Sequence, residues 1–134
     1  MFKIRKAIRD VANAEYPRKL SMSLAGNLPL SNHRCHYNAV QAVKNNMAVG
    51  VVEAVIIYND CCTVHFVNLM ADGSFVDFTL GQMCINDDYR FVRHVSPNEY
   101  DNINDALLAG KKKLQDKTPW HIRKLIKLSK EDWC

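Results

Sequence analysis

The chain has 134 residues, 48% of them hydrophobic and 24% charged, with a formal net charge of +4. That length makes a single domain, 1–134, long enough to bury a core, and the composition excludes a disordered or fibrous chain. No apolar run approaches the ~20 residues of a bilayer span, and the charges spread from Met1 to Asp10 exclude a signal-peptide core, so the expectation is no membrane span and a cytoplasmic location.

Phe2, Ile4, Ile8 and Val11 recur at helical spacing and predict an amphipathic helix over 2–14, ended by Pro17. Residues 18–31 contain Gly26, Pro29 and several Ser and Asn, and read as a loop. Ser31 or Asn32 can cap a second helix running to about Asn46, which places Cys35 in its first turn. Residues 50–59 are rich in Val and Ile on both faces and suit a central strand. Residues 62–70 and 74–81 predict a hairpin, and 89–95 a fourth strand. Ser96-Pro97-Asn98-Glu99 is a capping box with Pro at the first helical position. The helix it opens carries Tyr100, Ile103, Leu107 and Leu114 on one side. Thr118-Pro119 opens a last helix with Ile122, Leu125 and Ile126 inward. The expected class is α+β, with helices packed on a small, about four-stranded antiparallel sheet.

Three residues in this order carry chemistry: Cys35 at a helix start, His65 within one strand, and Asp77 within the next. A thiol, an imidazole and a carboxylate are the parts of a cysteine nucleophile with its base and orienting acid. The helix start favours the thiolate, because unpaired backbone N–H groups and the positive end of the helix dipole lie there. Whether His65 and Asp77 meet depends on the hairpin turn. A two-residue loop, Asp72-Gly73, would put them on opposite faces. A three-residue loop, Ala71-Asp72-Gly73, with Gly73 left-handed, makes them diagonal neighbours on one face. The apolar pattern favours the second register. It gathers Val64, Phe66, Met70, Val76, Phe78 and Leu80 on a core face, with Asn68 as its one polar member. Thr63, His65, Val67, Phe75, Asp77 and Thr79 then form a mixed surface suited to a site. The plainer readings are a buried small Cys35 and a satisfied strand histidine. Asp77 between Val76 and Phe78 needs a partner in either case, because burying it alone is costly.

The five cysteines, Cys35, Cys61, Cys62, Cys84 and Cys134, are odd in number and form no Cys-x-x-Cys pair, so free thiols in a reducing compartment are expected. His33, Cys35 and His36 have no second cluster at ligand spacing, and no metal or cofactor is expected. The C-terminal segment 111–134 is basic: within 111–130, Lys111, Lys112, Lys113, Lys117, Arg123, Lys124, Lys127 and Lys130 stand against one acid, Asp116. It reads either as a solvated helix face or as a surface for an acidic partner or nucleic acid, held by Lys111, Lys112, Lys113, Arg123, Lys124 and Lys127. Trp120 and Trp133 beside these cations fit stacking on bases, or packing of a last helix on the body.

The run His65-Phe66-Val67-Asn68-Leu69, then Asp72-Gly73 and Asp77, with Cys35 and Ala39 on the preceding helix, resembles the papain-like superfamily of cysteine hydrolases over residues 31–81. It is similar to the bacteriocin-processing peptidases and to transglutaminase-like proteins. The resemblance implies a nucleophile helix packed on an antiparallel sheet that supplies His and then Asp. It implies a thiol-dependent hydrolase or acyl transferase acting on an amide, peptide or isopeptide bond of a protein or peptide substrate. No Gln precedes Cys35 where many members keep an oxyanion-hole Gln, so Asn32, or in second place Asn27, takes that role beside the Cys35 N–H. The compact chain also resembles phage or mobile-element products, which implies the host cytoplasm. The alternative is a non-catalytic binding or inhibitor protein on the same scaffold, engaging an acidic partner or nucleic acid through its basic C-terminal helices.

Overall fold

The computed structural model describes residues 2–24, 32–58, 61–81, 85–121 and 123. Helix α1, Phe2–Glu15, forms where the apolar spacing predicts, with Ile8 and Ala12 buried. Past Pro17 the chain is extended through two short strands, β1, Lys19–Leu20, and β2, Met22–Ser23. Helix α2 is Cys35–Lys44. Arg34 occupies its N-cap without a side-chain cap bond, so the expected cap at Ser31 or Asn32 is corrected. Asn32 instead accepts the Arg34 N–H on Oδ1 at 3.0 Å, a turn two residues ahead of the helix, which leaves Cys35 as the first helical residue. The helix ends at Lys44 with Asn45 as its C-cap, and Asn46 follows left-handed at φ 59°, a conformation Asn tolerates.

Strands β3, Gly50–Tyr58, and β4, Cys61–Leu69, pair antiparallel along their whole length. Strand β5 is Phe75–Val76 and β6 is Asp88–Val95. The capping box of Ser96 and Glu99 is formed, but it opens a 3-10 segment, Pro97–Asn102, before helix α3, Ile103–Lys117. Ile103, Leu107 and Leu114 are buried, as their spacing predicts.

The class is α+β, but among the described residues the sheet has six strands, in the order β1-β6-β3-β4-β5-β2, and it is mixed, because β2 runs parallel to β5. The two added strands lie in the segment expected to be loop. Two residues are too few to display a strand period. The strands at the two ends of this order, β1 and β2, are separated in sequence by Ser21 alone. The sheet therefore curls until its edges come together at that residue.

The curl makes two cores. Outside, α1, α2 and α3 cover Val51, Val55, Val64 and Phe66. Inside, Leu20, Val52, Ala54, Ile56, Val67 and Tyr89 pack against one another. The face of β4 carrying His65 and Val67 is therefore an interior, and the expected mixed surface is corrected. His65 is 2% exposed and Asp77 3%.

The three-residue turn is present. Gly73 is left-handed at φ 86°, the Met70 N–H donates to the Ser74 carbonyl at 2.8 Å, and Leu69 pairs Phe75 and Asn68 pairs Val76. The strand does not run on to residue 81. It stops at Val76, where the Asp77 carboxylate accepts the N–H groups of Thr79 and Leu80 and bends the chain out of the sheet. Among the described residues no helix is long and apolar enough to cross a membrane. The expected last helix, with Ile122, Leu125, Ile126, Lys124, Lys127 and Trp133, lies outside the described residues, as do Asn27, Cys84 and Cys134.

Candidate active site

β4 and the turn after β5 bring His65 and Asp77 together inside the curled sheet. His65 Nε2 lies 2.7 Å from Asp77 Oδ2. The same oxygen accepts the Tyr89 hydroxyl at 2.6 Å, and Oδ1 accepts the Thr79 and Leu80 N–H groups at 2.9 and 3.0 Å. Burial alone would push the Asp77 carboxyl upward. The imidazole beside it, the Tyr89 hydroxyl and the backbone donors outweigh burial and pull it down to about 2. Asp77 is therefore a carboxylate at neutral pH. Facing that carboxylate, Nε2 is the ring nitrogen that donates, and Nδ1 is the nitrogen not engaged by Asp77.

Cys35 is wholly buried at the first position of α2, and its Sγ accepts the Phe66 N–H at 3.3 Å. Phe66 follows His65 in β4, so the sulfur meets the strand backbone one residue past the imidazole. β5 pairs β4 only at Asn68 and Leu69, and Cys35 meets the strand beyond that pairing. In the reduced protein the helix end and the Phe66 N–H would both favour a thiolate at this position. Cys35 is disulfide-bonded, which corrects the expectation of a free thiol there.

Asn32 is turned toward α2. Its Oδ1 accepts the Asn38 Nδ2–H at 2.8 Å, and its Nδ2 donates to Asn38 Oδ1 at 3.2 Å. One Asn32 N–H remains for another acceptor. Asn38 also donates to the Thr79 hydroxyl at 2.8 Å. Asn68, the one polar residue on the helix-facing side of β4, donates to the Ala39 carbonyl of α2 at 2.8 Å and to the Gly50 carbonyl at 3.1 Å. Sequence reasoning missed Tyr89, Asn38 and the role of Asn68. The available signal was polarity at Asn38, three residues past Cys35 on the buried helix side.

Among the described residues the basic side chains differ in burial. Lys111 is buried, because it falls on the stripe of Leu107 and Leu114, and it is corrected as a surface contact. Lys112 is exposed and paired with Asp116 at 3.1 Å, and Lys113 is exposed. Arg123 Nε donates to the Thr118 carbonyl at 2.9 Å. His33 is exposed and His36 buried, and among the described residues no three His, Cys, Asp or Glu side chains gather as a metal site. No protein-family model, curated protein or solved structure matches this chain.

Proposed function

We propose that this protein is a thiol-dependent hydrolase or acyl transferase acting on an amide, peptide or isopeptide bond, built on a papain-like arrangement. Cys35 is the nucleophile, His65 the base and Asp77 the orienting acid. The observation that carries the reading is the buried His65–Asp77 pair, whose carboxylate is filled by four donors. In the reduced protein the Cys35 thiol passes its proton to Nδ1 and the sulfur attacks the substrate carbonyl. The developing oxyanion is held by the Cys35 N–H and the remaining Asn32 N–H. His65 returns the proton to the leaving amine, giving a thioester that water or a second amine resolves. The disulfide has to be opened before any of these steps.

The test uses the full chain after reduction by a phosphine, with p-nitrophenyl acetate as a generic acyl donor. Acetylation located on Cys35 by mass spectrometry, and slowed about a hundredfold in His65→Ala, is the expected result. Equal acetylation in the wild type and His65→Ala would sink the reading. The engaged, buried Cys35 sulfur favours the second reading, a non-catalytic protein that engages an acidic partner or nucleic acid through its basic C-terminal segment. A chain inert to acylation after full reduction, but retained on heparin at low salt and released at high salt, would favour that reading.

A further inference from the structure

Cys35 and the His65–Asp77 pair sit on separate elements, and one side chain spans them. Asn38 lies one helical turn past Cys35 and is 8% exposed. All of its amide is engaged: both N–H groups donate, one to Asn32 Oδ1 and one to Thr79 Oγ1, and its oxygen accepts from Asn32. Thr79 is 1% exposed, and its own N–H donates to Asp77 Oδ1. An unbroken path of hydrogen bonds therefore runs from the segment before Cys35, through Asn38 and Thr79, to the carboxylate that faces His65. Nothing in the chemistry of acylation uses Asn38 or the Thr79 hydroxyl directly. A saturated amide in a buried position between two elements fixes their relative placement, since any displacement leaves buried polar atoms unmatched.

We propose that Asn38 is a positioning residue that locks the start of α2 to the Asp77 turn through Thr79, so that the Cys35 sulfur and the His65 ring keep one mutual geometry. The inference rests on the reading of these three residues as the reacting groups. Asn38 touches neither substrate nor reacting atoms. It acts by fixing two elements, where misplacement by a fraction of an ångström is enough to slow a reaction.

Two readouts on the reduced full chain test this. One is the downfield proton resonance of the His65 Nε2–H, which reports the bond to Asp77. The other is the alkylation rate of Cys35 by iodoacetamide. Thr79→Val, which keeps shape and removes the hydroxyl, and Asn38→Ala should both broaden or shift the resonance and slow Cys35 alkylation by about tenfold. Thr79→Ser, which keeps the hydroxyl, should restore both. Ile103→Val, a core change away from the path, should lower the melting temperature without moving the resonance. If Asn38→Ala does not fold, the Thr79→Val and Thr79→Ser pair carries the comparison. A resonance unmoved in Thr79→Val overturns the inference, and so does a resonance moved equally by Ile103→Val. Cys35 alkylation that is unaffected by His65→Ala in the wild-type background would instead sink the hydrolase reading, while the resonance still decides the coupling.

Discussion

Asp77 keeps its charge in a place where burial works against it, and the consequence is measurable in acid. Its folded carboxyl lies at about 2, below the ordinary 3.8. A depressed carboxyl contributes stability that is complete above the unfolded value and disappears as pH falls through the folded one. The window is therefore pH 4 to pH 2, and the size is about 2 kcal/mol. Asp77→Asn should be less stable than wild type in urea at pH 6, and the gap should close by that amount at pH 2. Cys35 gives a second expectation at this scale. Iodoacetamide should leave Cys35 unlabelled in the oxidised protein, and after reduction should label it before Cys62, which is buried within β4. Mass spectrometry reads both states. The meeting of His65 and Asp77 was legible in the sequence, because a three-residue turn and a period of two fix which residues share a face. The Tyr89 and Asn38 contacts were not. They depend on how far the sheet curls and how α2 docks, and neither leaves a local pattern.

Among the elements, the β4–β5 hairpin and α2 decide whether the site exists. Gly73 is left-handed, with open space where a side chain would go, so Gly73→Ala meets backbone strain alone. It should cost about 1 kcal/mol by chemical denaturation. α2 is held to the sheet by Asn68, whose Nδ2 serves two carbonyls. Asn68→Ala leaves both without that donor and opens a small cavity, and should cost about 2 kcal/mol in the same measurement. The sequence marked Asn68 as an oddity on a core face and could go no further, because its partners are backbone atoms. β3, β4, β6 and α1 matched their predicted spans within a residue or two, since each is long enough for its periodicity to appear. β5 was overextended, because Phe78, Thr79 and Leu80 alternate like a strand while the Asp77 carboxylate draws them into a turn.

At the scale of the whole molecule, the sheet and α3 close on a buried carboxylate. Glu53 is 4% exposed and is paired with Arg93 at 2.7 Å, and Arg93 also holds Glu99 beyond β6. Burial raises the Glu53 carboxyl, with the Arg93 bond opposing it. Gly110 of α3 passes directly over this carboxylate, with no room for a methyl group. Gly110→Ala should therefore cost about 2 kcal/mol in thermal or chemical unfolding, despite the better helix propensity of Ala. Lys112→Gln, at an exposed i,i+4 pair, should cost no more than about 0.5 kcal/mol. The net charge of the C-terminal segment was plain from the sequence. Lys111 turns inward because it shares helical phase with Leu107 and Leu114.

The curled sheet has a covalent consequence. β1 belongs to one margin through β6, and β2 to the other through β5, and a single exposed residue, Ser21, links them. Scission at that residue would detach both margins from each other in one event. The amino-terminal fragment would be left holding β6 through the Lys19–Arg90 and Leu20–Tyr89 pairs and the carbonyls of Tyr16 and Arg18, together with the contacts of α1, and the ring of strands around His65 and Asp77 would have lost its clasp.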